Sequence, residues 1–208
     1  MPMTNIKVVA FDCDGVLFDT AQANRFYYSH ILEHFGRPAL TEEQFRFVHM
    51  HTVHESIAYL ISDENTLEAA HDFRKTMDYR KYLSYLKVEP QLVALLEKLR
   101  PRIKTAIATN RTDTMERLLA EFDLDGYFDL VVTSSDVKQP KPHPEALLKI
   151  LEYFGLRAHQ AIYIGDSQVD ELAARAAKMP LVAYRNRELT AEYHIDSLAE
   201  LEEILDIS

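Results

Sequence analysis

Five short runs of apolar, β-favouring residues are spaced along the chain, at 8–11, 103–109, 129–134, 161–166 and 181–185. Most of them are nearly continuous in apolar residues instead of alternating, which is typical of parallel strands covered on both faces. Helical patterns separate or follow the later runs, at 112–122, 144–154, 169–178 and 197–205. This alternation predicts an α/β fold with a Rossmann-like, doubly wound parallel sheet.

The interval from residue 20 to about residue 88 breaks this alternation, because it contains helical patterns and no clear strand pattern. An all-helical block of this size between the first and second strands is best explained as an insertion. We therefore predict a helical domain at 20–87, inserted into an α/β core that consists of 1–19 and 88–208.

Local signals place the helices of this insertion. The first is predicted from 21 to 35, because Gly36 suits a helix end. Residue pairs with capping-box spacing mark further helix starts, the last being a looser match: Thr41 with Gln44, Thr52 with Glu55 and Asn65 with Glu68. The last pair predicts one long helix that runs to about Leu86.

Composition narrows the class of protein. The chain has 208 residues, 47% of them hydrophobic, and a net charge of -10. That charge argues against a nucleic-acid or anionic-membrane partner, because phosphate backbones attract an excess of Lys and Arg. No apolar run approaches the roughly 20 residues of a membrane span, no signal-peptide pattern is present, and one cysteine cannot form an intrachain disulfide. We expect a soluble, cytoplasmic protein whose oligomeric state the sequence leaves open.

Polar residues follow several predicted strands at the point where each strand ends. Asp12 and Asp14 follow the first run, Thr109 and Asn110 the second, and Asp166 ends the fourth. Carboxyl ends of parallel strands meet at one edge of a sheet, so we expect these side chains to converge. Two adjacent carboxylates cost free energy unless a cation or a proton lies between them, which predicts a bound cation.

The residue types favour Mg²⁺ and chemistry on an anion. Carboxylate oxygens in modest number suit Mg²⁺, and no Cys/His set with zinc spacing is present. A hydroxyl at Thr109 and a lysine, either Lys138 or Lys141, are suited to a negatively charged substrate. One carboxylate is then available to attack phosphorus while a second handles the proton of the leaving group.

Four short segments occur in this order along the chain: "DCDGVLFDT", "TNR", "KPHP" and "GDSQVD". They resemble the four motifs of the haloacid dehalogenase (HAD) superfamily, and the helical insertion resembles the cap of its phosphoglycolate-phosphatase-like branch. The resemblance covers essentially the whole chain. It implies a HAD-like hydrolase with a helical cap, acting as a Mg²⁺-dependent phosphatase on a small phosphorylated metabolite through an aspartyl-phosphate.

The resemblance also implies a role for each matching residue. Asp12 is the nucleophile and binds Mg²⁺, while Asp14 is the general acid/base and contributes its backbone carbonyl to the metal. Asp166 is the remaining protein ligand of the metal. The other roles are phosphoryl binding by Thr109, Asn110 and Lys141, and support of the metal site by Asp170. Lys141 is also expected to pair with Asp12.

Alternatives remain at several positions. The "KPHP" pattern favours Lys141 over Lys138, and we expect the Lys141–Pro142 bond to be cis, as is often found in this motif. Cys13 lies between the two aspartates, and in an extended strand its side chain should point away from the face that bears them. We therefore expect Cys13 to be a buried apolar residue that fills space in the core. In the insertion, His49 and His51 either contact the substrate or are ordinary histidines of surface or core.

Two other functions compete with the phosphatase. A phosphomutase of the same fold would use the same aspartates and return the phosphoryl group to a sugar. A non-catalytic phosphate-binding regulatory protein would be expected to have lost some acidic residues, and none is missing. A dinucleotide-binding site is disfavoured, because the first strand ends in "DCDG" and no G-x-G-x-x-G follows it.

Overall fold

A six-stranded parallel sheet lies at the centre of the computed structural model, which describes residue 3 and residues 5–207. The strands in chain order are β1 (Val8–Phe11), β2 (Phe18–Asp19), β3 (Lys87–Val88), β4 (Lys104–Ala108), β5 (Leu130–Val132), β6 (Ala161–Gly165), β7 (Leu181–Tyr184) and β8 (Tyr193–Ile195). The large sheet has the order β5-β4-β1-β6-β7-β8, and all its neighbours pair in parallel. The predicted α/β class is confirmed, and β8 is an edge strand that the apolar pattern did not reveal.

Helices surround the sheet and form the insertion after β2. They are α1 (Ala21–His34), α2 (Glu42–Met50), α3 (Val53–Leu60), α4 (Glu64–Thr76), α5 (Arg80–Leu83), α6 (Leu92–Leu99), α7 (Met115–Glu121), α8 (Glu145–Phe154), α9 (Gln168–Ala177) and α10 (Leu201–Leu205). Short 3₁₀ turns occur at Ser134–Asp136, Ala158–Gln160 and Leu198–Glu200. Within the described residues, no helix combines the length and apolar composition needed to cross a bilayer.

Strand β1 is buried on both faces, as its continuous apolar run predicts. Val9 and Phe11 belong to one apolar cluster, which the apolar faces of α6, α7 and α10 complete. Val8 and Ala10 point the other way, into a second cluster built with α8 and α9. Because β1 lies between β4 and β6, the residues that follow all three strands share one edge of the sheet.

The insertion has its own apolar core, formed by residues of α1 to α4 such as Ile31, Val48 and Ile57. Both predicted capping boxes are confirmed, since the hydroxyls of Thr41 and Thr52 accept from the backbone N–H groups three residues later. The chain enters and leaves this helical part side by side, because β2 and β3 pair as an antiparallel ribbon.

The prediction of one long helix from Asn65 to Leu86 is wrong. Asp63 caps α4 by accepting from Thr66 N, and the helix ends at Thr76. Asp78 then accepts from the backbone N–H of Arg80 at 3.2 Å, a local turn that competes with helical hydrogen bonding. The result is a break between α4 and α5.

Candidate active site

The carboxyl edge of the sheet brings the predicted core residues together. Asp12 follows β1, Thr109 and Asn110 follow β4, and Asp166 follows β6. Asp170 lies in the first turn of α9, and Lys141 reaches the same place from the loop before α8. The Lys141–Pro142 bond is cis, as expected.

A buried lysine lies between two carboxylates at the base of the site. Lys141 is 2% exposed, and its Nζ lies 2.8 Å from Asp12 Oδ1 and 2.7 Å from Asp170 Oδ1. It also donates to the hydroxyl of Tyr163 at 2.9 Å. Tyr163 in turn donates to Ala108 O. The ammonium group is therefore held in one position beside Asp12. Lys138, the rival lysine, is exposed.

Three carboxylates crowd the same region. Oxygen atoms of Asp12, Asp166 and Asp170 all lie within 4.8 Å of one another. Burial raises the pKa of Asp12 to about 7; Lys141 opposes this effect, while Asp170 and Asp14 add to it. Burial, Asp170 and Asp12 likewise hold the pKa of Asp166 well above its usual range. One lysine leaves this cluster with an excess of negative charge, and hard oxygen donors of this kind fit a divalent cation such as Mg²⁺.

The three carboxylates are not equally available to a metal. Asp170 Oδ1 is bound to Lys141, and Oδ2 accepts from the N–H and hydroxyl of Ser167. Asp170 therefore orients Lys141 and the start of α9. Asp12 and Asp166 are left as the carboxylates best placed to bind a cation.

Gly15 leaves the space that Asp166 occupies. A Cβ at residue 15 would lie 2.1 Å from Asp166 Oδ2, and the φ of Gly15 is +80°. Both the contact and the left-handed backbone require glycine here. The glycine of "DG" in the first motif thus makes room for the carboxylate of Asp166. This contact was not evident from the sequence.

Asp14 is bound by Arg111, a residue to which the sequence alone assigned no role. Arg111 Nε lies 2.7 Å from Asp14 Oδ2, and Nη2 lies 2.8 Å from Oδ1. Burial raises the pKa of Asp14, but the charge and hydrogen bonds of Arg111 outweigh it and lower that pKa to about 2. The available signal was the third letter of "TNR", immediately after the polar end of β4.

The side chains of Thr109 and Asn110 differ in how many hydrogen bonds they already make within the protein. The Thr109 hydroxyl accepts from Arg111 N at 3.2 Å and lines the pocket. The amide of Asn110 donates to Lys141 O and accepts from Lys141 N, both at 2.9 Å. It also donates to Met50 O at 3.0 Å, which joins the core to the helical insertion. The Asn110 side chain therefore positions other parts of the site.

The turn from His49 to His51 covers the carboxyl edge of the sheet. His49 Nδ1 lies 3.0 Å from the amide nitrogen of Asn24, and its ring stacks on Phe45. His51 stacks on Phe47 with the ring centroids 3.9 Å apart. Both histidines line a pocket with Asp12, Asp14 and Lys141, and contact with a substrate stays a prediction. The pocket is partly open to solvent.

Cys13 and Lys178 lie outside the group of polar residues that line the pocket. Cys13 is fully buried in the apolar cluster on one face of the sheet, as predicted for a filler residue. Lys178 ends α9 with φ +55°, a left-handed conformation that glycine adopts more easily. It lies at a helix end remote from the carboxylates.

Comparison with known proteins supports the geometry. The family model described as haloacid dehalogenase-like hydrolase matches residues 9–184. A phosphoglycolate phosphatase of Photorhabdus laumondii is 31% identical over 188 residues, covering 86% of this chain and 80% of that protein. A phosphorylated carbohydrates phosphatase of Thermotoga maritima is 31% identical over 178 residues, covering 83% and 82%. The crystal structure of a HAD-superfamily hydrolase, subfamily IA, of Geobacter sulfurreducens has a TM-score of 0.79 and 39% identity, covering 98% of each chain.

Proposed function

Because the chain belongs to the haloacid dehalogenase-like hydrolase family, we propose that it hydrolyses a small phosphate ester through an aspartyl-phosphate on Asp12. The enzyme is a phosphoric monoester hydrolase of the phosphoglycolate phosphatase type. The observation that carries the covalent step is the position of Asp12. Its carboxylate lies in the pocket beside the ammonium of Lys141, where a phosphoryl group would need both a nucleophile and a cation.

In the first step, an oxygen of Asp12 attacks phosphorus and the ester P–O bond breaks. The leaving alkoxide takes a proton from Asp14 and departs as the alcohol. In the second step, Asp14 accepts a proton from water, the resulting hydroxide attacks the aspartyl-phosphate, and inorganic phosphate leaves with Asp12 regenerated. Lys141 and the Thr109 hydroxyl stabilise the phosphoryl oxygens throughout.

Arg111 sets a condition on the first step. While Asp14 is bound to Arg111 by two hydrogen bonds it remains a carboxylate and has no proton to donate. Asp14 must therefore leave Arg111 and become protonated before the alkoxide departs. Substrate entry into the pocket supplies a competing anion for Arg111.

The residues fit a Mg²⁺ ion held by Asp12, Asp166 and the backbone carbonyl of Asp14. Asp12 and Asp166 belong to the cluster of carboxylates described above, and Gly15 leaves space for Asp166. When bound, Mg²⁺ offsets the repulsion between the attacking carboxylate and the phosphoryl group. Asp170 keeps Lys141 in position beside this site.

We propose that the helical insertion, residues 20–87, acts as a cap over the pocket. Such a cap would restrict the enzyme to small substrates. The Asn110–Met50 hydrogen bond joins the turn over the pocket to the core. A covered pocket excludes water and bulky phosphorylated macromolecules. The cap is therefore expected to select among leaving groups, since phosphate and metal are common to every substrate.

The experiment is a measurement of phosphate release from a panel of small phosphate esters with Mg²⁺. We expect EDTA to abolish release, Mg²⁺ to restore it and Ca²⁺ to substitute poorly, because Ca²⁺ prefers higher coordination. Asp12→Asn and Lys141→Met should be inactive, whereas Lys138→Met, which changes an exposed lysine three residues away, should retain activity. Near-normal turnover by Asp12→Asn would refute the mechanism, and isomer formation without phosphate release would indicate a phosphomutase.

A further inference from the structure

Arg74 is a second guanidinium on the wall of the same pocket. It lies in the last turn of α4, in the helical insertion. Its side chain is only 11% exposed. The pocket therefore contains cations from two parts of the fold, with Lys141 and Arg111 in the core and Arg74 in the insertion.

The hydrogen bonds of the two arginines differ. Arg111 uses four of its N–H donors, on both oxygens of Asp14 and on the hydroxyls of Tyr79 and Thr114. Arg74 Nε, by contrast, is buried and has no hydrogen-bond partner among the described residues. A buried donor without a partner costs free energy, as does a buried charge that is poorly paired.

The carboxylate nearest to Arg74 does not supply that partner. Asp113 Oδ1 lies 3.8 Å from Arg74 Nη1, which is beyond hydrogen-bond distance. The Asp113 side chain is 65% exposed, so water screens much of its charge. Burial raises the pKa of the Tyr27 hydroxyl to about 12 against the opposing charge and hydrogen bond of Arg74, so this neighbour is neutral. Arg74 thus lines the pocket with a buried donor that has no partner among the described residues, and its charge is only weakly paired.

We propose that Arg74 determines specificity by binding a second anionic group, on the leaving-group side of the substrate. The preferred substrates are then phosphate esters whose alcohol carries a carboxylate or another phosphate. This inference rests on the proposed function and adds to it a residue and a substrate class. Guanidinium groups suit both anions, because their planar donors match carboxylate and phosphate oxygens.

The test compares esters of similar size that differ in the charge of the alcohol. The probes are phosphoglycolate, which carries a carboxylate, 2-hydroxyethyl phosphate, which is neutral there, and ethylene glycol bisphosphate. Arg74→Met, which keeps much of the length of the side chain, should lower kcat/KM for an anionic ester roughly 10- to 100-fold, as expected for the loss of a charged hydrogen bond. It should change kcat/KM for 2-hydroxyethyl phosphate less than about 3-fold, and Arg74→Lys should restore part of the loss. A loss with phosphoglycolate identifies a carboxylate, and a loss confined to the bisphosphate identifies a second phosphate.

Asp113→Asn is the matched control. If Arg74 served only to hold the insertion against the core through Asp113, both variants would alter all three esters by equal factors, which would overturn the inference. Unchanged ratios of kcat/KM in Arg74→Met would overturn it as well. Hydrolysis of 2-hydroxyethyl phosphate by the unchanged enzyme keeps the proposed function intact in either case. Calorimetric binding of the three esters to Asp12→Asn, with and without Arg74→Met, checks the same ratios without turnover.

Discussion

Arg111 holds both carboxylate oxygens of Asp14, from a position 97 residues further along the chain. The side chains are 9% and 15% exposed, so the pair is largely removed from water. Breaking such a pair leaves a buried charge without a partner, a more costly change than the loss of a surface ion pair.

A double-mutant cycle should detect this pair in the stability of the protein. We expect Arg111→Met to lower the free energy of unfolding by about 3–5 kcal/mol at pH 7, and by much less when Asp14 is already Asn. The folded pKa of Asp14 is depressed, so the stabilisation is complete above its unfolded pKa of about 3.9. It should therefore be equal at pH 5 and pH 7. Urea denaturation of the four proteins provides the measurement, and additive effects within about 0.5 kcal/mol would contradict the coupling.

We expect the Asp12 carboxylate to lower the stability of the metal-free protein at neutral and alkaline pH. Burial and neighbouring carboxylates raise its folded pKa to about 7, so the native state binds a proton that the unfolded state has lost. Stability therefore falls as pH rises from about 4 to about 7. We expect Asp12→Asn to be more stable than the unchanged protein by about 2–4 kcal/mol at pH 8 in EDTA, with the difference vanishing near pH 4.

Thermal or urea unfolding at the two pH values tests this expectation. Saturating Mg²⁺ should reduce the advantage of Asp12→Asn at pH 8, because a bound cation stabilises the native state of the unchanged protein. A difference between the two proteins that does not depend on pH would count against the raised pKa.

Gly15→Ala should eliminate activity through Asp166. The added Cβ would displace the Asp166 carboxylate, with the backbone strain of a positive φ in addition. Gly126→Ala is a matched control, because Gly126 has φ +75° and no atom of the described residues lies within 4 Å of an added Cβ. Both variants should lose about 1 kcal/mol of stability from the backbone, but only Gly15→Ala should lose phosphate release and Mg²⁺ binding. Equal activity of the two variants would exclude a role for this contact.

His49→Ala and His51→Ala should change substrate preference. Both residues line the pocket on the turn that Asn110 joins to the core, where we propose that they contact the leaving group. We expect each substitution to alter kcat/KM by different factors for different esters. Thr109→Ala should depress all esters alike, because that hydroxyl meets the shared phosphoryl group. If every ratio stays constant in the histidine variants, the turn does not select substrates.

Several features could be predicted from the sequence because local interactions determine them. Continuous apolar runs predicted five of the parallel strands, since a strand buried on both faces needs apolar residues at every position. Two capping boxes placed the starts of α2 and α3, because the hydrogen bonds involved span three residues. Strand ends marked by Asp12, Thr109 and Asp166 predicted a shared site, because neighbouring parallel strands end at the same edge.

Other features depended on contacts between distant segments. The break before α5, the weakly apolar edge strand β8 and the helix α6 carried signals too short or too ambiguous for periodicity to resolve. The Asn110 side chain donates hydrogen bonds to Met50 O and Lys141 O, and these bonds depend on how the insertion packs on the core. No local pattern reports such a pairing.

The sequence by itself therefore determined the class of fold, the order of its motifs and the residues that meet at the carboxyl edge of the sheet. Only the tertiary structure decided which further charges pair there: Asp14 with Arg111, and Lys141 with Asp170. Among the described residues, it also left Arg74 Nε buried without a hydrogen-bond partner. The physical reason is that strand and helix patterns arise from neighbours within a few residues, whereas ion pairing depends on distances and burial that exist only after folding.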